Sequence, residues 1–155
     1  NFMIKSKNSV KISIGVCLVL AFILLVLVVL GPDIFELYMR VYRGFSFEAI
    51  KTLKKVFGFC FYPSALFAGV ILYCLLRLLF NIKNEVIFIM DNAKYLRIVS
   101  WCCFIIGAIT FAGGFFYMPF MFVAAAGGFT GMMLRVLKNV MARAVEIKNE
   151  NELTI

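Results

Sequence analysis

The chain has 155 residues, of which 64% are hydrophobic, and its mean hydropathy is +1.00. Soluble domains are about half apolar, so this composition excludes a soluble domain and indicates an integral membrane protein embedded in a lipid bilayer. Sixteen Lys and Arg residues against eight Asp and Glu residues give a net charge of +8. Basic residues commonly flank membrane spans and contact anionic lipid headgroups. We therefore expect these residues to interact with the membrane, and we do not expect the protein to bind nucleic acid directly.

The first apolar segment, residues 12–30, follows a short basic stretch and is long enough to cross a membrane once. It ends at Gly31 and Pro32 and lacks the small-residue cleavage site of a secretory signal peptide. The pattern therefore predicts a retained first transmembrane helix. Gly31 and Pro32 are expected to end this helix and to start another.

Residues 33–45 are predicted to form an amphipathic helix on the extracytoplasmic side, between the first and second spans. Its polar residues recur every three or four positions and so share one helical face. Glu36 lies one turn before Arg40, a spacing that favours an ion pair. We expect this helix to lie on the membrane or to cap the bundle, and a groove for a partner is the alternative.

A second long helix is predicted after Gly44, with Ser46 as its N-cap and residues 56–80 as its spanning part. Pro63 removes a backbone hydrogen bond within this span and is expected to kink it. Arg77 lies near the far end among leucines. It is either an interfacial arginine that reaches the headgroups or a buried functional charge.

The polar connection, residues 81–97, leads into the third span. Asp91 and Asn92 are residue types that commonly cap helices, so they are expected to cap the helix that runs through Leu96 and Arg97.

The next 37 residues, 98–134, carry no charged side chain. One helix of that length would be about 55 Å long, against a hydrocarbon thickness of about 30 Å. The segment must therefore fold back, and Pro119 marks the turn, which gives two spans at residues 98–116 and 119–137. Small residues four positions apart are expected to pack helices closely, within one subunit or in a homo-oligomer. These are Ala108 and Ala112, Ala124 and Gly128, and Gly127 and Gly131.

Four crossings make one all-α transmembrane domain, a four-helix bundle over residues 1–155. Eleven Lys and Arg residues then lie on the side of the N-terminal segment, the polar connection and the C-terminal tail, when Arg77 is counted with the connection and Arg135 with the tail, against five on the other side. By the positive-inside rule both termini are expected in the cytoplasm.

The chain contains no histidine, which excludes His-dependent nucleophiles and metal sites. Its five cysteines all fall in apolar stretches and are expected to be small buried side chains. All eight carboxylates lie outside the predicted spans, which disfavours a proton-coupled or cation-coupled pump. We expect no catalytic residue, no cofactor and no metal, and hence no enzyme.

Two short patterns are distinctive, one that leads into the third span and one at the extreme C-terminus. They comprise Phe88, Asn92, Leu96, Arg97 and Ser100, and then Glu150, Asn151, Glu152, Leu153, Thr154 and Ile155. In these residues the sequence resembles a bacterial family of small four-helix membrane proteins of unknown function, DUF2975. Where the family often has a glycine shortly before the phenylalanine, this chain has Asn84 and Glu85.

Many members of this family are encoded beside a very short helix-turn-helix regulator of the Cro/CI type. The resemblance therefore implies a partner of such a regulator in the bacterial cytoplasmic membrane. Both patterns fall on the predicted cytoplasmic side, and they supply the candidate partner-binding residues. These are Phe88, Asn92, Leu96, Arg97, Glu150, Glu152, Leu153, Thr154 and Ile155. A small transporter, or a protein that protects against membrane-active peptides, is the alternative hypothesis, with the outer segment at residues 33–45 as its shield or gate.

Overall fold

The computed structural model describes residues 2–154, and four long α-helices account for most of them. These helices are α1 (Phe2–Tyr38), α2 (Phe47–Lys83), α3 (Met90–Gly114) and α4 (Pro119–Leu153), and a π-helix, Met39–Arg43, continues α1. All four are long and apolar enough to cross a membrane. The predicted class, an all-helical protein with four spans, is confirmed at this level.

The first helix continues through Gly31 and Pro32, so the prediction that a new helix starts there is wrong. Proline removes only one backbone hydrogen bond, and long membrane helices tolerate this loss. Gly31 is a packing position, because a Cβ atom there would lie 3.3 Å from the ring of Phe61. The segment at residues 33–45 therefore forms the end of α1 and the π-helix, and the helical stretch ends at Gly44, whose φ of 61° is left-handed.

The outer end of α1 packs into the protein and caps it. Phe35 and Met39 are buried together with Ile50 of α2. The ring of Phe35 stacks on Phe57 at 4.4 Å and meets Tyr117 edge-on at 5.5 Å. This end of α1 therefore packs against the start of α2 and against the turn at Tyr117.

The second helix begins as predicted, with the Ser46 side chain accepting a hydrogen bond from the amide of Ala49 at 3.4 Å. The tight turn between α3 and α4 is also where the sequence predicts it. The carbonyl of Gly113 accepts hydrogen bonds from the amides of Phe116 and Tyr117, both at 3.0 Å, and Pro119 is the first residue of α4.

Each helix packs mainly on the next helix along the chain, and α3 lies between α2 and α4. No extended packing joins α1 to α4 within residues 2–154, so the four helices form an open arrangement. Most buried residues belong to α3, whereas large apolar side chains of the other helices, such as Phe22 and Phe59, point outward. Such outward faces suit contact with lipid. All five cysteines are buried, as predicted.

The connections meet at two opposite ends of the molecule. At one end Lys7 lies 3.5 Å from Glu85, which joins the start of α1 to the connection between α2 and α3. The tail of α4 reaches the same connection. At the other end the end of α1, the start of α2 and the turn at Tyr117 come together. This pairing of ends is the one that four antiparallel crossings require.

Candidate partner-binding face

The connection between α2 and α3 is organised around the buried side chain of Asn92. This side chain has no exposed surface, and its amide donates hydrogen bonds to the carbonyls of Val86 at 3.1 Å and Ile87 at 2.7 Å. Its oxygen accepts a third bond from Asn81 at 2.8 Å. Asn92 thus satisfies backbone groups that the loop itself leaves unpaired, and it fixes the shape of the loop.

The predicted capping role of Asn92 is therefore wrong. The helix α3 starts at Met90. Its N-cap residue is Ile89, and no side chain makes a capping hydrogen bond there. Asn92 is the third residue of the helix, and its side chain turns back to the loop instead of reaching a free helical amide. Asp91 lies in the first turn, where its negative charge favours the helix dipole.

Glu85, in the same connection, has a φ of 64° and is the one non-glycine residue with positive φ among residues 2–154. Side chains with a Cβ atom are strained in this left-handed region, whereas glycine is not. The family often has a glycine at this place in the connection, where this chain has Asn84 and Glu85. Of these two residues, Glu85 has the backbone conformation that would suit glycine.

Phe88 and the C-terminal part of α4 form one groove, which we call the tail groove. Its volume is about 450 Å³, and it is lined by Phe88 and by Ala144, Ile147, Lys148, Asn151 and Glu152 of α4. The floor is apolar, and the rim carries one basic and one acidic side chain. Members of the two family-like patterns, far apart in sequence, therefore meet in one surface feature.

The other candidate partner-binding residues divide by exposure. Arg97, Glu150, Leu153 and Thr154 are exposed, and Leu153 is 86% accessible. Asn92 and Leu96 are buried and are not available to a partner. Ile155 lies outside the described residues. Arg97 lines a different pocket, together with Arg135 and Lys138.

At the opposite end, Glu36 accepts hydrogen bonds from Lys54 and Arg40, each at 2.7 Å. The Arg40 pair is confirmed as predicted. The sequence gives no signal for Lys54, which is 18 residues away and belongs to α2. The hydrogen bond from Lys54 and its positive charge lower the pKa of Glu36, and the same bond raises the pKa of Lys54.

Arg77 is exposed on the outer surface of α2. It donates a hydrogen bond of 3.1 Å to the hydroxyl of Tyr73, and its guanidinium lies 5.7 Å from the centre of that ring. This exposed position favours an interfacial arginine over a buried functional charge. No cluster of three His, Cys, Asp or Glu side chains suited to a metal occurs in the part of the chain that the structure describes.

The small residues form a close contact between α3 and α4 that we call the glycine seam. A Cβ atom on Gly127 would lie 3.1 Å from the carbonyl oxygen of Cys103, and one on Gly107 would lie 3.4 Å from that of Ala124. Gly131 meets the ring of Phe104, whereas Gly128 has open space beside it. Gly107 is a member of the seam that the sequence reasoning missed, although its small size was a usable signal.

Ala108 and Ala112 do not belong to the glycine seam. Both are exposed. They follow Gly107 by one and five positions, so the helical period turns them away from the face of α3 that packs on α4.

The fold and its surface define a helical protein with four helices long and apolar enough to cross a membrane, and one of its surface grooves lies beside the C-terminal helix. A family model described as a protein of unknown function, DUF2975, matches residues 57–155. The chain belongs to this family. No curated protein and no solved structure matches it.

Proposed function

We propose that this protein is a non-enzymatic interaction protein of the bacterial cytoplasmic membrane that holds a small helix-turn-helix regulator at the cytoplasmic surface. The observation that carries the proposal is the tail groove, in which Phe88 meets Asn151 and Glu152. An apolar floor with a polar rim suits the face of an amphipathic helix, and its volume of about 450 Å³ has room for one or two large apolar side chains.

The charges next to the tail groove suit a DNA-binding partner. Glu150 and Glu152 are exposed at the end of α4, and a regulator that binds DNA carries a basic surface. Acidic side chains that occupy this basic surface would compete with DNA. A regulator held in this way would stay at the membrane until a signal acting on the helices changes the groove and releases it.

The proposal is tested first by the adjacent genes, one of which must encode a short helix-turn-helix protein. That protein is then recovered with membranes that contain the wild-type chain, a chain lacking residues 150–155, or Phe88→Ala. The truncation and Phe88→Ala are each expected to lower recovery of the regulator about tenfold, which is typical of the loss of a central interface side chain.

Phe116→Ala is the matched control, because Phe116 is an exposed phenylalanine at the opposite end of the molecule. It should recover the regulator as the wild type does. Equal recovery by all four chains, or the lack of any short helix-turn-helix gene nearby, contradicts the proposal.

One observation favours a second candidate function, protection against membrane-active peptides. A wide groove of about 760 Å³ opens between α1 and α2 at the end opposite the tail groove, beside Pro32, Phe59 and three lysines. An apolar wall beside cations suits an amphipathic peptide with acidic groups. Expression should then change sensitivity to such peptides, and Lys51→Glu with Lys55→Glu, at two lysines that line the groove, should abolish the change at equal protein levels. Unchanged sensitivity across a broad peptide panel contradicts this function.

A further inference from the structure

A second, smaller pocket lies between α3 and α4, away from the tail groove. It has a volume of about 100 Å³ and is lined by Arg97, Ser100, Trp101 and Phe104 of α3 and by Arg135 and Lys138 of α4. The hydroxyl of Ser100 is buried and donates a hydrogen bond of 2.8 Å to the carbonyl of Gly131. This bond fixes the two helices side by side, so cations from both helices converge on one small space.

Within residues 2–154, the three cations of this pocket have no acidic partner. Several other bases of the chain are paired, such as Lys54 with Glu36 and Arg143 with Glu146. No carboxylate in residues 2–154 lies within 4 Å of the charged atoms of Arg97, Arg135 or Lys138. Three like charges around one small space repel one another unless an anion lies between them.

The position of the pocket along the helices places it at the membrane surface. Arg97 and Arg135 flank the charge-free residues 98–134, which fill the hydrocarbon layer. Trp101 is 54% exposed and belongs to the residue type most favoured at the level of the lipid headgroups. An anion in this pocket therefore lies at headgroup depth.

We propose that this pocket binds the phosphate of an anionic phospholipid headgroup. A volume of about 100 Å³ equals that of roughly three water molecules, which admits one phosphate group but no acyl chain. Two guanidinium groups and an ammonium are the side chains that bind phosphate oxygens best. At this depth phospholipids supply phosphate at high local concentration, and basic pockets between membrane helices are known to hold such headgroups. The inference does not depend on the proposed function, because none of these residues lines the tail groove.

Trp101, the single tryptophan of the chain, provides a direct probe. The purified protein is placed in phosphatidylcholine vesicles that contain a minor fraction of brominated phosphatidylglycerol or the same fraction of brominated phosphatidylcholine. Quenching of Trp101 fluorescence then reports which lipid lies beside the pocket. Three cations at the surface lead us to expect a preference of about tenfold for phosphatidylglycerol.

Three variants separate the pocket from general charge. The first variant combines Arg97→Gln, Arg135→Gln and Lys138→Gln, and it should lose the preference, so that both brominated lipids quench Trp101 about equally. Lys5→Gln, Lys11→Gln and Lys83→Gln remove the same charge from the same end of the molecule and should keep it. Arg97→Lys, Arg135→Lys and Lys138→Arg conserve the charge and should also keep most of it, which excludes a simple folding defect as the cause.

Equal quenching by both brominated lipids in the wild-type protein overturns the proposal. An equal loss of preference in the pocket variant and in the Lys5, Lys11 and Lys83 variant overturns it too, because general surface charge then accounts for the effect. If millimolar inorganic phosphate removes the preference, the site takes free phosphate and the assignment to a lipid is overturned. Persistence of the preference in inorganic phosphate supports it.

Discussion

At the scale of single residues, Glu85 adopts a backbone conformation that suits glycine. Its φ of 64° costs a side chain with a Cβ atom about 1–2 kcal/mol. Glycine avoids this strain. However, glycine loses more conformational entropy on folding, which offsets about 0.5–1 kcal/mol of the gain in stability. The ion pair of Glu85 with Lys7 is exposed and adds little.

We therefore predict that Glu85→Gly raises the free energy of unfolding by up to about 1 kcal/mol. Thermal unfolding in detergent measures the effect. Glu85→Ala removes the same side chain but keeps the strain, so it should be less stable than Glu85→Gly. An alanine variant as stable as the glycine variant contradicts the assignment of strain to this position.

Asn92 explains why residue-level reasoning failed at this connection. An asparagine close to the start of a helix is equally suited to capping it and to satisfying loop carbonyls. The choice depends on the carbonyls of Val86 and Ile87, which lack other partners only once the loop has folded. No local pattern contains that information.

At the scale of helices, the glycine seam sets how closely α3 and α4 approach. Gly127 and Gly128 are adjacent and have the same helical preference, but only a side chain added at Gly127 would meet the backbone of α3. We predict that Gly127→Val costs about 1–3 kcal/mol more stability than Gly128→Val, because only the first forces overpacking. Thermal midpoints of both variants in one detergent give the comparison. Equal midpoints would show that the helices pack elsewhere.

The ion pair between Glu36 and Lys54 ties α1 to α2 and makes part of the stability dependent on pH. The pKa of Glu36 is lowered by folding, so its contribution is present above about pH 4.5 and is lost as the pH falls through the lower, folded pKa. The pKa of Lys54 is raised, so its contribution is lost only as the pH rises beyond about 10.5. Stability from this pair is therefore constant around neutral pH.

We predict that Lys54→Gln lowers the thermal midpoint at pH 7, and that the difference from wild type shrinks as the solution is acidified below about pH 4.5. Lys51→Gln removes a neighbouring exposed lysine of α2 and should have little effect at either pH. A difference that stays constant down to pH 3 would mean that Lys54 stabilises the protein through packing alone.

At the scale of the whole molecule, the orientation in the membrane follows from the distribution of basic residues. Eleven Lys and Arg residues lie at the end with both termini and five at the other end, so we predict that reporters fused at Asn1 and Ile155 both face the cytoplasm. A reporter fused after Met118 should face the opposite side. If the reporter at Ile155 faces the side opposite the cytoplasm, the tail groove lies outside the cytoplasm, and the proposed docking of a cytoplasmic regulator fails.

Much of this architecture could be predicted, because local rules decide it. Hydropathy and length give the four spans, Pro119 gives the turn, and Ser46 gives the start of α2. The continuity of α1 through Pro32 could not be predicted in this way, because packing of the neighbouring Gly31 against Phe61 overrides the local preference. For the tail groove, the sequence predicts only that its two patterns lie on one side of the membrane. Their contact could not be predicted, because it depends on where the end of α4 lies.

The open arrangement of the helices has a consequence for α1. This helix rests on α2 and meets the remainder of the protein chiefly through the contact of Phe35 with Tyr117. The family match begins at residue 57, beyond α1. We therefore expect that a different N-terminal helix offering α2 the same contacts would leave the packing around α3 undisturbed.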